Sequence, residues 1–109
     1  MDKIKIGIFG PYGRMGKDLI KQIESFDSLK LSSLCEKKSH KNIGKTISNI
    51  LIEDNIDNLI KKSDVIIDFT TPQATIELLK AINFSKLNTS LVTGTTGYTI
   101  SEEKKFQSL

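Results

Sequence analysis

Three glycines spaced three residues apart, Gly10, Gly13 and Gly16, are the first residues of this sequence whose type and spacing indicate chemistry. An apolar run at residues 4–9 precedes them, and apolar residues at helical spacing follow as far as position 23. The pattern predicts a strand, a tight turn and a helix, where only glycine lets the backbone approach a pyrophosphate closely. The helix N-terminus would then bind the anion. Because the spacing is G-x-x-G-x-x-G rather than G-x-G-x-x-G, an ordinary glycine-rich turn remains the alternative.

Arg14, the only arginine of the sequence, lies between the second and third of these glycines. A cation in the first turn of a helix opposes the helix dipole, at a cost of roughly a few tenths of a kcal/mol. A phosphate bound at the same place would remove that cost. Arg14 therefore favours an anion site over an ordinary turn.

A charged triplet, Glu36, Lys37 and Lys38, follows the second predicted strand. It lies about 20 residues beyond Gly16, the separation at which an acid reads the ribose hydroxyls of an adenosine in dinucleotide-binding folds. A cation beside that acid could pair with the 2′-phosphate of NADP. The triplet therefore predicts that both NADH and NADPH are accepted, and the alternative is that it only ends a strand.

Two further strand ends carry polar residues. The first, residues 68–72, should face the crevice at the carboxyl ends of a parallel sheet. We interpret Asp68 as a structural carboxylate or cap rather than a catalytic base, and Phe69 as packing that touches the cofactor. The second, residues 93–97, combines two glycines with three threonines. It predicts contact with cofactor or substrate, and a hairpin-like loop is the alternative.

Composition and the remaining reactive residues argue against several function classes. The net charge of +3, from 16 basic and 13 acidic residues, is spread along the chain, so no nucleic-acid partner is expected. The sequence has no run of about 18 apolar residues and no signal-peptide pattern, so no membrane contact is expected. The single cysteine, Cys35, fits a cytoplasmic protein and is interpreted as a buried apolar residue. His40, the only histidine, is expected at the surface, and no spacing indicates metal ligands.

The elements that must position these residues alternate between strand and helix. Strands are predicted at residues 3–9, 29–35, 49–53, 65–69 and 90–93. Helices are predicted at residues 14–25, at 57–62 and from 72 onward, with a polar loop at 39–48. The inward stripe of the first helix is predicted to be Met15, Leu19, Ile23 and Phe26. The alternation predicts a single, incomplete α/β domain with a Rossmann-like, doubly wound parallel sheet.

Four segments in this order and spacing closely resemble the N-terminal domain of dihydrodipicolinate reductase, an enzyme family of bacterial and plant lysine and diaminopimelate biosynthesis. They are residues 10–16, 36–37, 68–72 and 92–97. The resemblance implies reduction of a cyclic dicarboxylate, 4-hydroxy-tetrahydrodipicolinate, by NADPH or NADH. It also implies roles for single residues: pyrophosphate binding by Gly10, Pro11, Tyr12, Gly13, Arg14 and Met15, ribose binding by Glu36, 2′-phosphate binding by Lys37, and nicotinamide contact by Gly94, Thr95 and Thr96. Phe69 and Thr70 would make secondary contacts.

The family's paired-histidine motif and its Lys-x-Asp-Ala-Pro-Ser-Gly-Thr motif are absent from this sequence. By resemblance they belong to a C-terminal substrate domain, so residues 1–109 are expected to be the dinucleotide-binding domain alone, a fragment with no catalytic residues. We expect it to bind nucleotide weakly and not to turn over by itself. The resemblance implies a homotetramer for the full-length enzyme and a monomeric or weakly associated fragment. The alternatives are a stand-alone nucleotide-sensing module, or the cofactor domain of another dehydrogenase, such as one acting on homoserine or aspartate.

Overall fold

The computed structural model describes residues 3–12 and 14–94. In these ranges, strands and helices alternate along most of the chain. The strands are β1 (Ile4–Phe9), β2 (Leu29–Cys35), β3 (Thr46–Ile47), β4 (Ile50–Glu53), β5 (Val65–Asp68) and β6 (Ser90–Thr93). The helices are α1 (Arg14–Glu24), α2 (Ile56–Lys62) and α3 (Pro72–Ser85).

All six strands form one sheet in the order β3-β4-β2-β1-β5-β6. Neighbouring strands are parallel except β3 and β4, which pair antiparallel. From β1 the chain first adds strands on one side and then crosses back to add β5 and β6 on the other. This reversal creates a topological switch point between β1 and β5, and a crevice opens there at the carboxyl ends. The predicted Rossmann-like, doubly wound sheet is confirmed.

The strand period of two divides the core of the described chain between the two faces of the sheet. On one face, Ile8 of β1 packs in a cluster with Ile20 of α1. On the other face, Phe9 packs in a cluster with Leu59 of α2 and Leu78 of α3. Helices therefore cover both faces, and the sheet holds the strand ends rigidly at one edge.

The predicted inward stripe of α1 is wrong at both ends. Met15 is 63% exposed and Phe26 is 54% exposed, whereas Ile20 and Ile23 are buried. The buried face is turned by about one residue, because Gly16 lies against the backbone of the preceding turn. That close approach, which the apolar pattern does not reveal, sets how the helix faces the sheet.

The predicted loop at 39–48 is wrong at its end, where β3 and β4 form a hairpin. The two turn residues, Ser48 and Asn49, have φ angles of 51° and 67°. Left-handed conformations at both central positions are typical of a type I′ turn, which matches the twist of the flanking strands. Ser-Asn is a weaker hairpin signal than Asn-Gly, so the sequence pattern did not indicate it.

The predicted start of the third helix is confirmed. Thr71 is the N-cap of α3, and its side chain accepts a hydrogen bond from Ala74 N at 3.3 Å. Pro72 follows at the first helical position, where its missing N–H costs no hydrogen bond. The helix therefore begins directly behind the end of β5 and holds the 69–71 turn at the crevice.

Candidate functional site

A cleft of about 330 Å³ lies at the carboxyl ends of β1, β2 and β5. Four of the residues assigned to cofactor binding line it: Gly10, Tyr12, Glu36 and Lys37. Phe69 and Thr70, the expected secondary contacts, line it as well, together with His40, Thr71 and Ala74. Segments far apart in sequence therefore meet in one place, as the parallel sheet predicts.

The turn after β1 needs glycine at its first position. Gly10 has a φ of +84°, in the left-handed region that side chains rarely adopt. A Cβ placed there would lie 3.1 Å from both Phe69 O and Thr70 Cγ2. Gly10 N donates a hydrogen bond to Cys35 O at 2.9 Å, which ties the turn to the end of β2.

Gly16 allows the same turn to pack on α1. A Cβ at Gly16 would lie 2.4 Å from Pro11 O, closer than real Cβ atoms come to a carbonyl oxygen. Pro11 is fully buried in this contact. The turn and the helix N-terminus therefore form one unit. Sequence reasoning did not assign Gly16 to the site, although it is the third glycine of the motif.

The helix N-terminus carries no acidic side chain in its first turn. An anion would therefore meet the dipole end of α1 without a carboxylate in the helix's own first turn. Met15 lies in that first turn and is exposed. Gly13 and the side chain of Arg14 lie outside the described residues.

Glu36 is held at the edge of the cleft by the glycine turn. Its side chain is buried, and Oε2 accepts a hydrogen bond from Tyr12 N at 3.3 Å. Within residues 3–12 and 14–94, no hydrogen bond ends on Oε1. One oxygen therefore fixes the carboxylate to the turn, and the other is available to a ligand hydroxyl.

His40 lies in the cleft, so the expectation of a surface histidine is wrong. Its side chain is 23% exposed, and Nε2 lies 3.8 Å from Glu36 Oε2. The imidazole ring also lies against the Tyr12 ring, with the two centroids 6.2 Å apart and the planes inclined at 40°. Lys17 Nζ lies 5.2 Å from the centroid of the same Tyr12 ring. His40 lies in a polar loop, four residues after Glu36. That short separation is the sequence signal that could have placed it at the site.

The two lysines after Glu36 face different surroundings. Lys37 is exposed and lines the cleft. Lys38 is exposed and lines a separate depression beside Asp54 and Asp57. The structure thus brings Lys37 to the site and places Lys38 away from it.

Asp68 is a structural carboxylate, as predicted. It is fully buried at the end of β5, and Oδ1 accepts hydrogen bonds from Thr70 N at 3.0 Å and from Thr70 Oγ1 at 2.5 Å. Oδ2 accepts hydrogen bonds from Thr75 Oγ1 and, at 2.9 Å, from Thr93 Oγ1. One side chain therefore joins the 69–71 turn, α3 and β6 behind the cleft.

Phe69 packs against Gly94 at the end of β6. A Cβ at Gly94 would lie 2.9 Å from Phe69 Cε1, and Gly94 N donates to Asp68 O at 2.8 Å. Gly94 does not line the cleft, but it continues the strand next to it. Thr95 and Thr96, the other two expected nicotinamide contacts, lie outside the described residues.

Cys35 is inert packing at the end of β2, as predicted. It is fully buried, and burial, reinforced by the Asp54, Glu36 and Glu53 carboxylates, raises the pKa of its thiol from 9.0 to about 12. The thiolate is the reactive form of cysteine, and at neutral pH it is suppressed here.

No group of three or more histidine, cysteine or carboxylate side chains with metal-binding geometry occurs in the part of the chain that the structure describes. In the same ranges, no helix is long and apolar enough to cross a membrane. Among the described residues, the site is therefore a set of hydrogen-bonding groups, a helix N-terminus and one cation around a cleft, which suits binding of an anionic ligand that carries hydroxyl groups.

Comparison with known proteins gives a consistent match in sequence. The family model described as the N-terminus of dihydrodipicolinate reductase matches residues 4–109. The 4-hydroxy-tetrahydrodipicolinate reductase of Pelagibacter ubique is 44% identical over 109 residues, which cover 97% of this chain and 40% of the relative. The enzyme of the same name from Buchnera aphidicola is 42% identical over 110 residues, covering 92% and 39%. The chain thus spans about two fifths of the length of these curated relatives.

Solved structures share the fold. A dipicolinate-bound dihydrodipicolinate reductase from Paenisporosarcina superposes with a TM-score of 0.73 at 24% identity, covering 94% of this chain and 41% of that one. Homoserine dehydrogenase from S. aureus gives 0.73 at 15% identity, covering 99% and 30%. Pyrroline carboxylate reductase from Plasmodium falciparum, solved with NADP bound, gives 0.63 at 21% identity, covering 96% and 38%.

Proposed function

The chain belongs to the dihydrodipicolinate reductase family, matching its N-terminal part, and from this premise we propose that it holds the nicotinamide dinucleotide of a 4-hydroxy-tetrahydrodipicolinate reductase. The observation that carries the proposal is the cleft at the switch point, where Gly10, Tyr12 and Glu36 meet. The likeness to homoserine dehydrogenase is one of fold alone, so it does not favour that activity.

The described residues fit a dinucleotide. The left-handed φ of Gly10 and the close contact of Gly16 with Pro11 form the tight strand-to-helix turn that a pyrophosphate site uses. The helix behind the turn offers free N–H groups and has no acid in its first turn. The Oε1 atom of Glu36 is available to accept from ribose hydroxyls, and Lys37 supplies a cation beside it.

The proposed roles combine these positions with the roles that the family resemblance implies. Gly10, Pro11, Tyr12, Gly13, Arg14 and Met15 would hold the pyrophosphate. Glu36 would hold the adenosine ribose, Lys37 would hold a 2′-phosphate when one is present, and Gly94, Thr95 and Thr96 would contact the nicotinamide half. When bound, the reduced nicotinamide supplies the hydride, while the protein positions it and excludes competing reactions. Acid and cation together favour the use of both NADPH and NADH.

The proposal assigns substrate binding and proton donation to a C-terminal domain of the relatives. This chain matches about two fifths of their length, and in the described ranges the cleft contains one cation, Lys37, at its adenosine end. A dicarboxylate needs cationic or N–H groups at the reacting end as well. Assembly as a homotetramer would likewise rest on that domain. We place the enzyme in the cytoplasm, where the free thiol of Cys35 stays reduced.

The direct test is calorimetric titration of the 109-residue chain with NADPH, NADH and dipicolinate. We expect both dinucleotides to bind and dipicolinate, which needs the other domain, not to bind. Failure of both dinucleotides to bind at millimolar concentration would overturn the cofactor assignment. Binding of dipicolinate would overturn the division between cofactor and substrate parts.

A second test is a steady-state reductase assay on the same chain. We expect no turnover above the rate without protein, because the groups that act on the substrate are proposed to lie elsewhere. Normal turnover would contradict that assignment and would require catalytic residues within this chain.

A further inference from the structure

The imidazole of His40 is oriented by the loop in which it lies. Asn42 N donates a hydrogen bond to Nδ1 at 3.1 Å, and Asn42 is itself buried. A nitrogen that accepts from a backbone N–H carries no proton of its own. The neutral ring therefore has its proton on Nε2, as the second nitrogen of a histidine is set by the bond that the first one makes.

The Nε2 atom of His40 lies near Glu36 Oε2, the oxygen that accepts from Tyr12 N. The distance to Glu36 Oε2 is 3.8 Å, beyond the range of an N–H···O hydrogen bond. Within residues 3–12 and 14–94, no hydrogen bond from Nε2 is formed. The Nε2–H group of His40 is thus a half-buried donor in the cleft with no described acceptor at hydrogen-bond distance. The Glu36 carboxylate lies just beyond that distance.

The ring is also supported from its side. It lies against Tyr12, and Lys17 of α1 stands over the same tyrosine. Among the residues that the structure describes, the charged or titratable groups near the imidazole are Glu36 from the end of β2, Tyr12 from the glycine turn, Lys17 through that ring, and Lys37 on its own loop. His40 connects the glycine turn to the position that we assign to the adenosine ribose.

We propose that His40 is a specificity-determining residue for the cofactor, donating its Nε2–H to the substituent on the 2′ carbon of the adenosine ribose. The inference rests on the proposed function and deepens it. A neutral N–H can donate to either a 2′-hydroxyl or a 2′-phosphate. The hydrogen bond to the charged phosphate is roughly twice as strong as the one to the neutral hydroxyl. His40 therefore favours NADPH over NADH and, with Lys37, offsets the repulsion between a 2′-phosphate and Glu36.

Two substitutions separate this role from a structural one. In His40→Asn, the side-chain oxygen takes the place of Nδ1 and keeps the bond from Asn42 N, but no donor reaches the position of Nε2. In His40→Gln, the amide nitrogen reaches about that position and keeps a donor there. We expect His40→Asn to weaken NADPH binding about tenfold and NADH binding about threefold or less. His40→Gln should restore most of the NADPH affinity.

The wild-type protein provides a test that does not depend on folding of a variant. Because the sequence contains a single histidine, nitrogen-15 labelling of histidine gives one imidazole signal set. We expect NADPH to shift the Nε2 resonance more than NADH does, and the Nδ1 resonance to move little. Lys41→Ala, an exposed residue of the same loop outside the cleft, is the control variant and should leave both affinities unchanged.

Failure of the inference and failure of the proposed function give different results. If both dinucleotides bind, but Nε2 does not respond or the Asn and Gln variants lose affinity equally, His40 is only a structural residue. If the wild-type chain binds neither dinucleotide, the proposed function is overturned and this inference falls with it.

Discussion

The two carboxylate oxygens of Glu36 have different roles at this site. Its Oε2 atom accepts from Tyr12 N, which orients the side chain, and its Oε1 atom remains for a ligand. The charge of a buried carboxylate would repel a 2′-phosphate, so the proposed binding of NADPH requires nearby donors and cations. Lys37 is the cation in the described cleft.

Lys37→Ala should therefore weaken NADPH binding selectively. We expect an increase of roughly five- to tenfold in the NADPH dissociation constant, since a partly exposed charge-assisted contact contributes about 1 kcal/mol. NADH has no 2′-phosphate, so its dissociation constant should change less than about twofold. Lys38→Ala removes the same charge outside the cleft and is the matched control. Equal losses for both cofactors, or equal effects of the two variants, would contradict the assignment of Lys37.

The Cys35 thiol gives a prediction of pH dependence. Its folded-state pKa is raised to about 12, whereas the unfolded chain should lose the proton near the ordinary value of 9.0. The contribution to stability is complete below about pH 9, and it is lost as the pH rises toward 12 because only the unfolded state releases the proton there. The free energy of unfolding should fall by roughly 1 kcal/mol at about pH 10 from this group alone.

Urea unfolding of wild type and Cys35→Ala at a series of pH values isolates this contribution, since lysines and tyrosines titrate alike in both. The difference between the two proteins should narrow above about pH 9. A difference that stays constant up to about pH 11 would show that the thiol is not protected from ionisation.

At the scale of elements, the turn after β1 and the helix α1 act as one unit. Gly16 permits the contact with Pro11, and this contact also decides which face of α1 is buried. Asp68 has the same function on the other side of the cleft, where it joins β5, α3 and β6. The two sides of the cleft are thus fixed by contacts between neighbouring elements before any ligand binds.

Gly16→Ala should damage the site although alanine is the better helix former. The helix gains about 1 kcal/mol of propensity, but the new methyl group would lie 2.4 Å from Pro11 O and must displace the turn. We expect at least a tenfold loss of affinity for both dinucleotides, together with reduced thermal stability.

Gly44→Ala is the control for a glycine replacement with strain but no clash. Gly44 has a φ of +89°, and a Cβ there would meet nothing within 4 Å. That variant should lose about 1 kcal/mol of stability and keep its cofactor affinity. Unchanged nucleotide binding by Gly16→Ala would show that the turn is not the pyrophosphate site.

At the scale of the whole molecule, the strand order places the cleft. The carboxyl ends of β1 and β5 lie side by side, with Phe9 paired to Asp68, so the turn at Gly10 and the turn at Phe69 both line the cleft. A ligand between them would touch segments from both halves of the described sheet. Its binding should therefore stabilise the whole domain rather than one loop.

Thermal unfolding with and without NADPH measures that coupling. At about 100 times its dissociation constant, a ligand that binds only the folded state adds about 2.7 kcal/mol, which for a domain of this size is a rise in Tm of roughly 10–20 °C. Adenosine at the same concentration lacks the phosphates and should give a much smaller rise. A shift of less than about 2 °C with NADPH, at a concentration shown to saturate the site, would indicate that the bound nucleotide does not bridge the two halves.

Local patterns in the sequence were sufficient to predict part of the fold and part of the site. The β-branched run at residues 65–68 and the cap Thr71 specify their local structure through side-chain chemistry, and Gly10 does so through its backbone freedom. The buried face of α1 and the β3–β4 hairpin were missed for a physical reason. The first depends on how closely Gly16 approaches Pro11, and the second on a turn whose residues are not the usual ones.

The sequence by itself determined the alternation of strands and helices, the glycine turn, and the acid Glu36 followed directly by the base Lys37. Periodicity and residue type reveal these features because they act over short distances. Only the tertiary structure decided which lysine reaches the cleft, that His40 turns its Nε2 toward Glu36, and that Asp68 binds three threonines. These facts depend on the order of strands in the sheet and on loop backbone conformation. Both are fixed by packing between segments far apart in the chain, and no local pattern encodes that packing.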